Sequence, residues 1–126
     1  MTSFLKLGYN VLTPFGDCER YDFVADVHGK FLKIQCKSAS TKDNGKTIQF
    51  GCKSTHYKGG HCIHEKYTKE EIDYIATFWE EQCYLVPVEE CGTEKRLRFS
   101  KPENYQKDRV SFAKDYTLEL TLSKLL

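Results

Sequence analysis

No apolar run in this 126-residue chain approaches the ~20 residues of a membrane-crossing helix, so a helical membrane protein is excluded. The N-terminus lacks the charged, apolar and small-residue succession of a secretory signal, and the expected location is the cytoplasm, with no membrane partner. Internal repeats, low-complexity tracts and linkers are also missing, so residues 1–126 read as a single domain. Paired C-x2-C spacing is absent as well, which argues against the common structural zinc sites. The six cysteines therefore read as reduced thiols, with Cys36 and Cys83 inside apolar strand patterns and expected to be buried. Net charge is scarce too, at +1.

What the chain does have is an uneven distribution of that charge. Residues 29–69 hold nine lysines against Asp43 and Glu65, which leaves +7 in the middle third, while both flanks are acidic. His56, His61 and His64 lie in the same stretch, with Gly45, Gly51, Gly59 and Gly60 loosening its backbone. A basic, glycine-loosened segment of this kind suits a polyphosphate backbone, and Lys42, Lys46, Lys53, Lys58 and His56 are the candidate DNA contacts. A solvated lysine-rich loop is the plainer alternative. The set Cys52, His56, His61, Cys62 and His64 contains enough nitrogen and sulfur for zinc, but its spacing disfavours that metal.

Elements follow from periodicity and turn residues. Thr2–Leu7 before Gly8 resembles the last turn of a helix, and Tyr9–Phe15 reads as a short first strand. Ser38–Lys46 reads as a loop, Thr47–Lys53 as a strand and Lys58–Lys66 as irregular. Thr68 and Glu71 form a capping box ahead of Ile72, Ile75, Ala76 and Trp79, which predicts a helix from Thr68 to about Gln82. Cys83–Val88 is an apolar run suited to a buried strand, and Arg96–Phe99 to an edge strand. Pro102–Asp115 is expected to contain a helix with Val110 and Ala113 inward, and Tyr116–Leu126 fits a strand or a helix. The sum is an α/β fold with a mixed central sheet.

The segment Tyr21–Lys37 carries the chemistry. With His28 and Gly29 as a two-residue hairpin loop, Val27 pairs with Lys30 and Asp22 comes opposite Gln35. Opposed Cβ atoms lie ~5 Å apart and residues two apart share a face, so Lys37 joins them. Tyr21, Phe23, Ala25 and Val27 then meet Leu32, Ile34 and Cys36 on the other face. Hydrolysing a phosphodiester needs an activated water and relief of charge on the phosphoryl oxygens. A magnesium ion held by the Asp22 carboxylate, the Gln35 side-chain oxygen and the Cys36 carbonyl meets both needs, with manganese as the alternative ion. Lys37 would orient the water and offset charge. An ordinary polar sheet face remains the plain reading of the spacing alone. Asp26 reads as a turn-flanking acid, Trp79 as core, and Arg96 and Arg98 as a charged strand edge.

The succession GYNVLTPFGDCERYDFVAD, GKFLKIQCKSAS, YTKEEIDYIATFWEEQCYLVPVEE and RLRF resembles the PD-(D/E)xK nuclease superfamily, in the branch with glutamine at the second acidic position, which includes group I intron homing endonucleases. The resemblance runs from Gly8 onward. It implies a restriction-endonuclease-like mixed sheet flanked by helices, with catalytic Asp22, Gln35 and Lys37. It further implies magnesium-dependent cleavage of double-stranded DNA by a homodimer or homotetramer. Relatives also carry an N-terminal helix with a glutamate, whereas Met1–Leu7 contains no acid and Glu19 should face away from Asp22. A weakened or inactive DNA-binding or oligomerising remnant is therefore the alternative to an active enzyme.

Overall fold

The computed structural model describes residues 1–15, 21–42, 44–99 and 111–125, with residues 54–58 and 61–66 described by backbone alone. Five strands form a mixed sheet in the order β1-β2-β3-β8-β9, three form an antiparallel sheet in the order β10-β5-β4, and β6 and β7 form a two-stranded sheet. Their ranges are β1 Asn10–Leu12, β2 Phe23–Val27, β3 Lys30–Cys36, β4 Ala39–Lys42 and β5 Thr47–Gly51. The rest are β6 Lys53–Lys58, β7 His61–Lys66, β8 Tyr74–Trp79, β9 Gln82–Pro87 and β10 Glu94–Arg98. Only two short α-helices occur among the described residues, α1 Thr2–Lys6 and α2 Leu118–Ser123. No helix among them is long and apolar enough to cross a membrane.

Two cores lie on the two faces of the five-stranded sheet. On one, Phe23, Ala25, Val27, Ile34 and Leu85 pack against Phe4 of α1 and Leu118 and Leu122 of α2. Phe4 meets Phe23 edge to face at 5.4 Å, which anchors a helix too short to persist unaided. On the other face Ile75, Tyr84 and Val86 pack against Ile48, Phe50 and Leu97 of the smaller sheet. The central sheet is thus covered on both sides, by helices and by a second sheet.

The β2–β3 hairpin has the expected register, from Phe23↔Ile34 to Val27↔Lys30. His28 and Gly29 turn it at φ 53 and 85, both left-handed as a two-residue hairpin loop requires. Asp26 accepts from the Gly29 amide at 3.1 Å, the role of a turn-flanking acid. Tyr21 departs from expectation, because it packs against the core shared with the smaller sheet, opposite the face of Phe23. The strict alternation of β2 therefore begins only at Phe23.

The predicted Thr68–Gln82 helix is one turn followed by a strand. The capping box forms, with Thr68 Oγ1 and its amide donating to Glu71 Oε1 at 3.0 and 3.1 Å, and Ile72 N–H reaching Thr68 O at 3.0 Å. Asp73 then ends the turn, since its Oδ2 accepts from Lys33 N–H at 2.9 Å and its own amide donates to Lys33 O at 2.8 Å. Those two bonds start β8 parallel to β3. Burial on both faces removes the period-2 alternation from Ile75, Ala76 and Thr77, which is why the pattern passes for helical. Glu80 and Glu81 make the turn into β9 at φ 47 and 66 without glycine or asparagine, so no turn signal marks it.

Other segments also depart from expectation. Lys58–Lys66 is regular, with Gly59 and Gly60 turning the β6–β7 hairpin at φ 60 and 80. The Ser38–Lys46 loop contains β4, paired with β5. Within the expected Pro102–Asp115 helix, residues 102–110 lie outside the described set, and Ala113–Asp115 forms a 3₁₀ turn with Ala113 buried. The C-terminal segment is helical. It covers the outer edge of β9, with Leu85 N–H donating to Tyr116 O at 2.8 Å and Thr121 Oγ1 to Leu85 O at 3.1 Å.

Cys83 is buried on β9, as expected, and burial pushes its thiol from 9.0 up to about 11. The unfolded chain ionises this thiol near pH 9 while the fold keeps it protonated, so its stabilising contribution is complete below pH 9 and is lost as pH rises toward 11. A shift of this size corresponds to on the order of 3 kcal/mol. The burial-raised phenols of Tyr74, Tyr84 and Tyr116 act in the same direction. Thermal melts should fall steeply between pH 8.5 and 10.5, and Cys83→Ala should make that fall shallower. Parallel pH profiles for the two proteins would exclude this role of Cys83.

Candidate active site

Asp22, Gln35, Cys36 and Lys37 gather where β2 begins and β3 ends. Asp22 lies one position before the ladder. Its amide donates to Ile34 O at 2.8 Å and its carboxylate Oδ2 accepts from Cys36 N–H at 2.8 Å. The side chain thereby takes the place of the strand carbonyl that another rung would supply to Cys36, which fixes the carboxylate against the end of β3. Oδ1 has no protein partner among the described residues. Gln35 is half-buried, and its Nε2 donates a long 3.4 Å bond to Cys36 O. Asp22 and Gln35 therefore meet on the two polar atoms of the Cys36 peptide groups, N–H and C=O respectively.

Lys37 follows directly, with its amide bonded to Ala76 O of β8 at 2.9 Å. Its ammonium reaches Lys53 O at 3.1 Å and stands 5.2 Å from the centre of the Tyr67 ring. Neither partner was legible from the site spacing, because both come from the ends of the β6–β7 hairpin. Asp73 was missed for a similar reason: it positions β8 beside β3 through a contact spanning 40 residues. The Cys36 thiol lies on the opposite face and is exposed rather than buried, because β3 ends there.

The oxygens available here are hard donors. The free oxygen of Asp22, the Cys36 carbonyl and the Gln35 amide, turned to present its oxygen, match the oxygen preference of magnesium or manganese and leave positions for water and phosphate. Asp22 supplies one full negative charge, and no cluster of three His, Cys, Asp or Glu able to hold a metal occurs among the described residues. Glu19, a further acid in the sequence, lies outside them. Of the zinc set, Cys52 is buried with its thiol donating to Phe50 O at 3.9 Å, and the side chains of His56, His61, Cys62 and His64 lie outside the described ones.

The candidate DNA contacts spread over two regions. Lys53 is exposed beside the site, whereas Lys42 pairs with Thr47 at the far end of β4 and β5, with Lys46 next to it. At ~3.3 Å per residue that end is roughly 20 Å away. The side chains of His56 and Lys58 lie outside the described ones. Arg96 is exposed on edge strand β10 and pairs with Glu94 at 3.7 Å. Trp79 is half-buried against the second core, while Phe78 is exposed.

Comparison with known proteins is consistent across most of the chain. A family model described as PD-(D/E)XK endonuclease matches residues 1–119. The structure of a bacterial homing endonuclease, I-Ssp6803I, is similar with a TM-score of 0.71 and 28% sequence identity, over 98% of this chain and 85% of that chain. No curated protein matches.

Proposed function

The chain belongs to the PD-(D/E)XK endonuclease family, and from that premise we propose that it hydrolyses phosphodiester bonds in double-stranded DNA with magnesium, or manganese in its place, as a homing endonuclease does. The observation that supports this reading most is the meeting of Asp22 and Gln35 on the Cys36 peptide groups with Lys37 adjacent. Asp22, Gln35 and the Cys36 carbonyl would hold the ion, which when bound lowers the pKa of a coordinated water and offsets charge on the phosphoryl oxygens. Cys36 N–H keeps the Asp22 carboxylate oriented. The Lys37 ammonium has three donors, of which Lys53 O takes one, and the others are left for the attacking water and a phosphoryl oxygen. Lys42 and Lys46 supply phosphate contacts from the far end of β4 and β5, and Lys53, His56 and Lys58 supply them from the β6–β7 hairpin. Two strands call for two such sites, so the working form is a homodimer or homotetramer, placed in the cytoplasm.

No group of three potential metal ligands occurs among the described residues, which favours one competing reading, a protein that binds DNA without cutting it. Incubation with supercoiled plasmid separates the two. Nicked and linear product should form with magnesium and vanish with a chelator. Salt-sensitive DNA binding without nicking, in magnesium and in manganese alike, would establish binding without catalysis instead.

A further inference from the structure

We propose that Tyr67 is a positioning residue for Lys37, holding its ammonium through the face of the ring; this rests on the nuclease reading above. Lys53 begins β6 and pairs with Lys66, the last residue of β7, so Tyr67 is the next residue beyond the hairpin. The two groups around the ammonium, Lys53 O at 3.1 Å and the Tyr67 ring at 5.2 Å, therefore come from the two roots of one hairpin. That hairpin belongs to neither larger sheet. Its roots are fixed to the body instead: Cys52 is buried and donates its amide to Thr93 O at 2.9 Å, and Tyr67 packs against the second core.

A lysine side chain has four rotatable bonds, and one carbonyl at its tip leaves it free to swing about that contact. An aromatic face attracts the cation from a second direction, and it does so without using an N–H donor. Tyr67 thus restricts the ammonium while leaving its remaining donors for water and phosphate. The carbonyl sets the reach, and the ring sets the direction.

The test compares Tyr67→Leu, which keeps an apolar group on the core, with Tyr67→Phe, which keeps the ring. Acylation of each lysine by an amine-reactive acetylating reagent is followed by mass spectrometry without DNA or divalent ion, using exposed Lys30 as reference. Lys37 should label at least threefold faster in Tyr67→Leu than in wild type, and Tyr67→Phe should restore the wild-type rate. In plasmid cleavage Tyr67→Leu should lower kcat about tenfold with KM within twofold, again restored by Tyr67→Phe. Should Tyr67→Leu fail to fold, Tyr67→Met makes the same comparison. Unchanged Lys37 labelling in the folded variant lacking the ring, or a Tyr67→Phe protein that behaves like it, would overturn the proposal. Because labelling needs no cleavage, a wild-type protein that cuts no DNA would remove the nuclease reading while the contact itself is still read.

Discussion

Asp22→Asn should reduce magnesium-dependent plasmid nicking by on the order of 10³-fold while leaving the protein folded. The amide oxygen of asparagine still accepts from Cys36 N–H, the 2.8 Å bond that the carboxylate makes, so the junction of β2 and β3 keeps its partner. What disappears is the negative charge. No group of three potential metal ligands stands nearby among the described residues to replace it. Asp22→Ala removes the acceptor as well and should cost about 1 kcal/mol of stability beyond the asparagine variant. The pair of substitutions thus separates charge from structural support. Single-turnover nicking and thermal melts measure the two effects, and wild-type nicking by Asp22→Asn would remove the metal assignment.

Lys37→Met is expected to slow cleavage by about 10²- to 10³-fold with a smaller effect on DNA affinity, because the ammonium acts on charge that develops during reaction. Methionine keeps an unbranched apolar stem against Tyr67 but loses the bond to Lys53 O and the cation over the ring. One lost cation should also lower the salt dependence of duplex binding by about one counterion. Equal loss of affinity and rate would reduce Lys37 to a phosphate contact. Lys37→Arg preserves charge but replaces a rotatable ammonium with a planar fork, so it should recover binding more fully than turnover.

Local chemistry explains which parts of the fold could be read in advance. The β2–β3 register needs only alternation and a His28-Gly29 turn, and both act within a few residues. Gly8 at φ 87 stops α1 for an equally local reason. The missed β8 and β6–β7 hairpin have distant or concealed causes. β8 is selected over a helix by pairing with β3 and by the Asp73–Lys33 bonds, and its capping box is real but confined to one turn. The β6–β7 hairpin turns on Gly59-Gly60, a signal visible in the sequence but obscured by polar residues with no apolar alternation.

By itself, then, the sequence determined an α/β fold with a basic middle third, and a β2–β3 register that brings Asp22 beside the end of β3. Short-range alternation and turn preference dictate both the strands and that register. Only the tertiary structure decided that Asp22 bonds the Cys36 amide, that β8 is a strand, and that the Lys37 ammonium sits between Lys53 O and Tyr67. Those outcomes depend on pairing between segments 14 to 40 residues apart, where packing and hydrogen-bond completion outweigh local propensity.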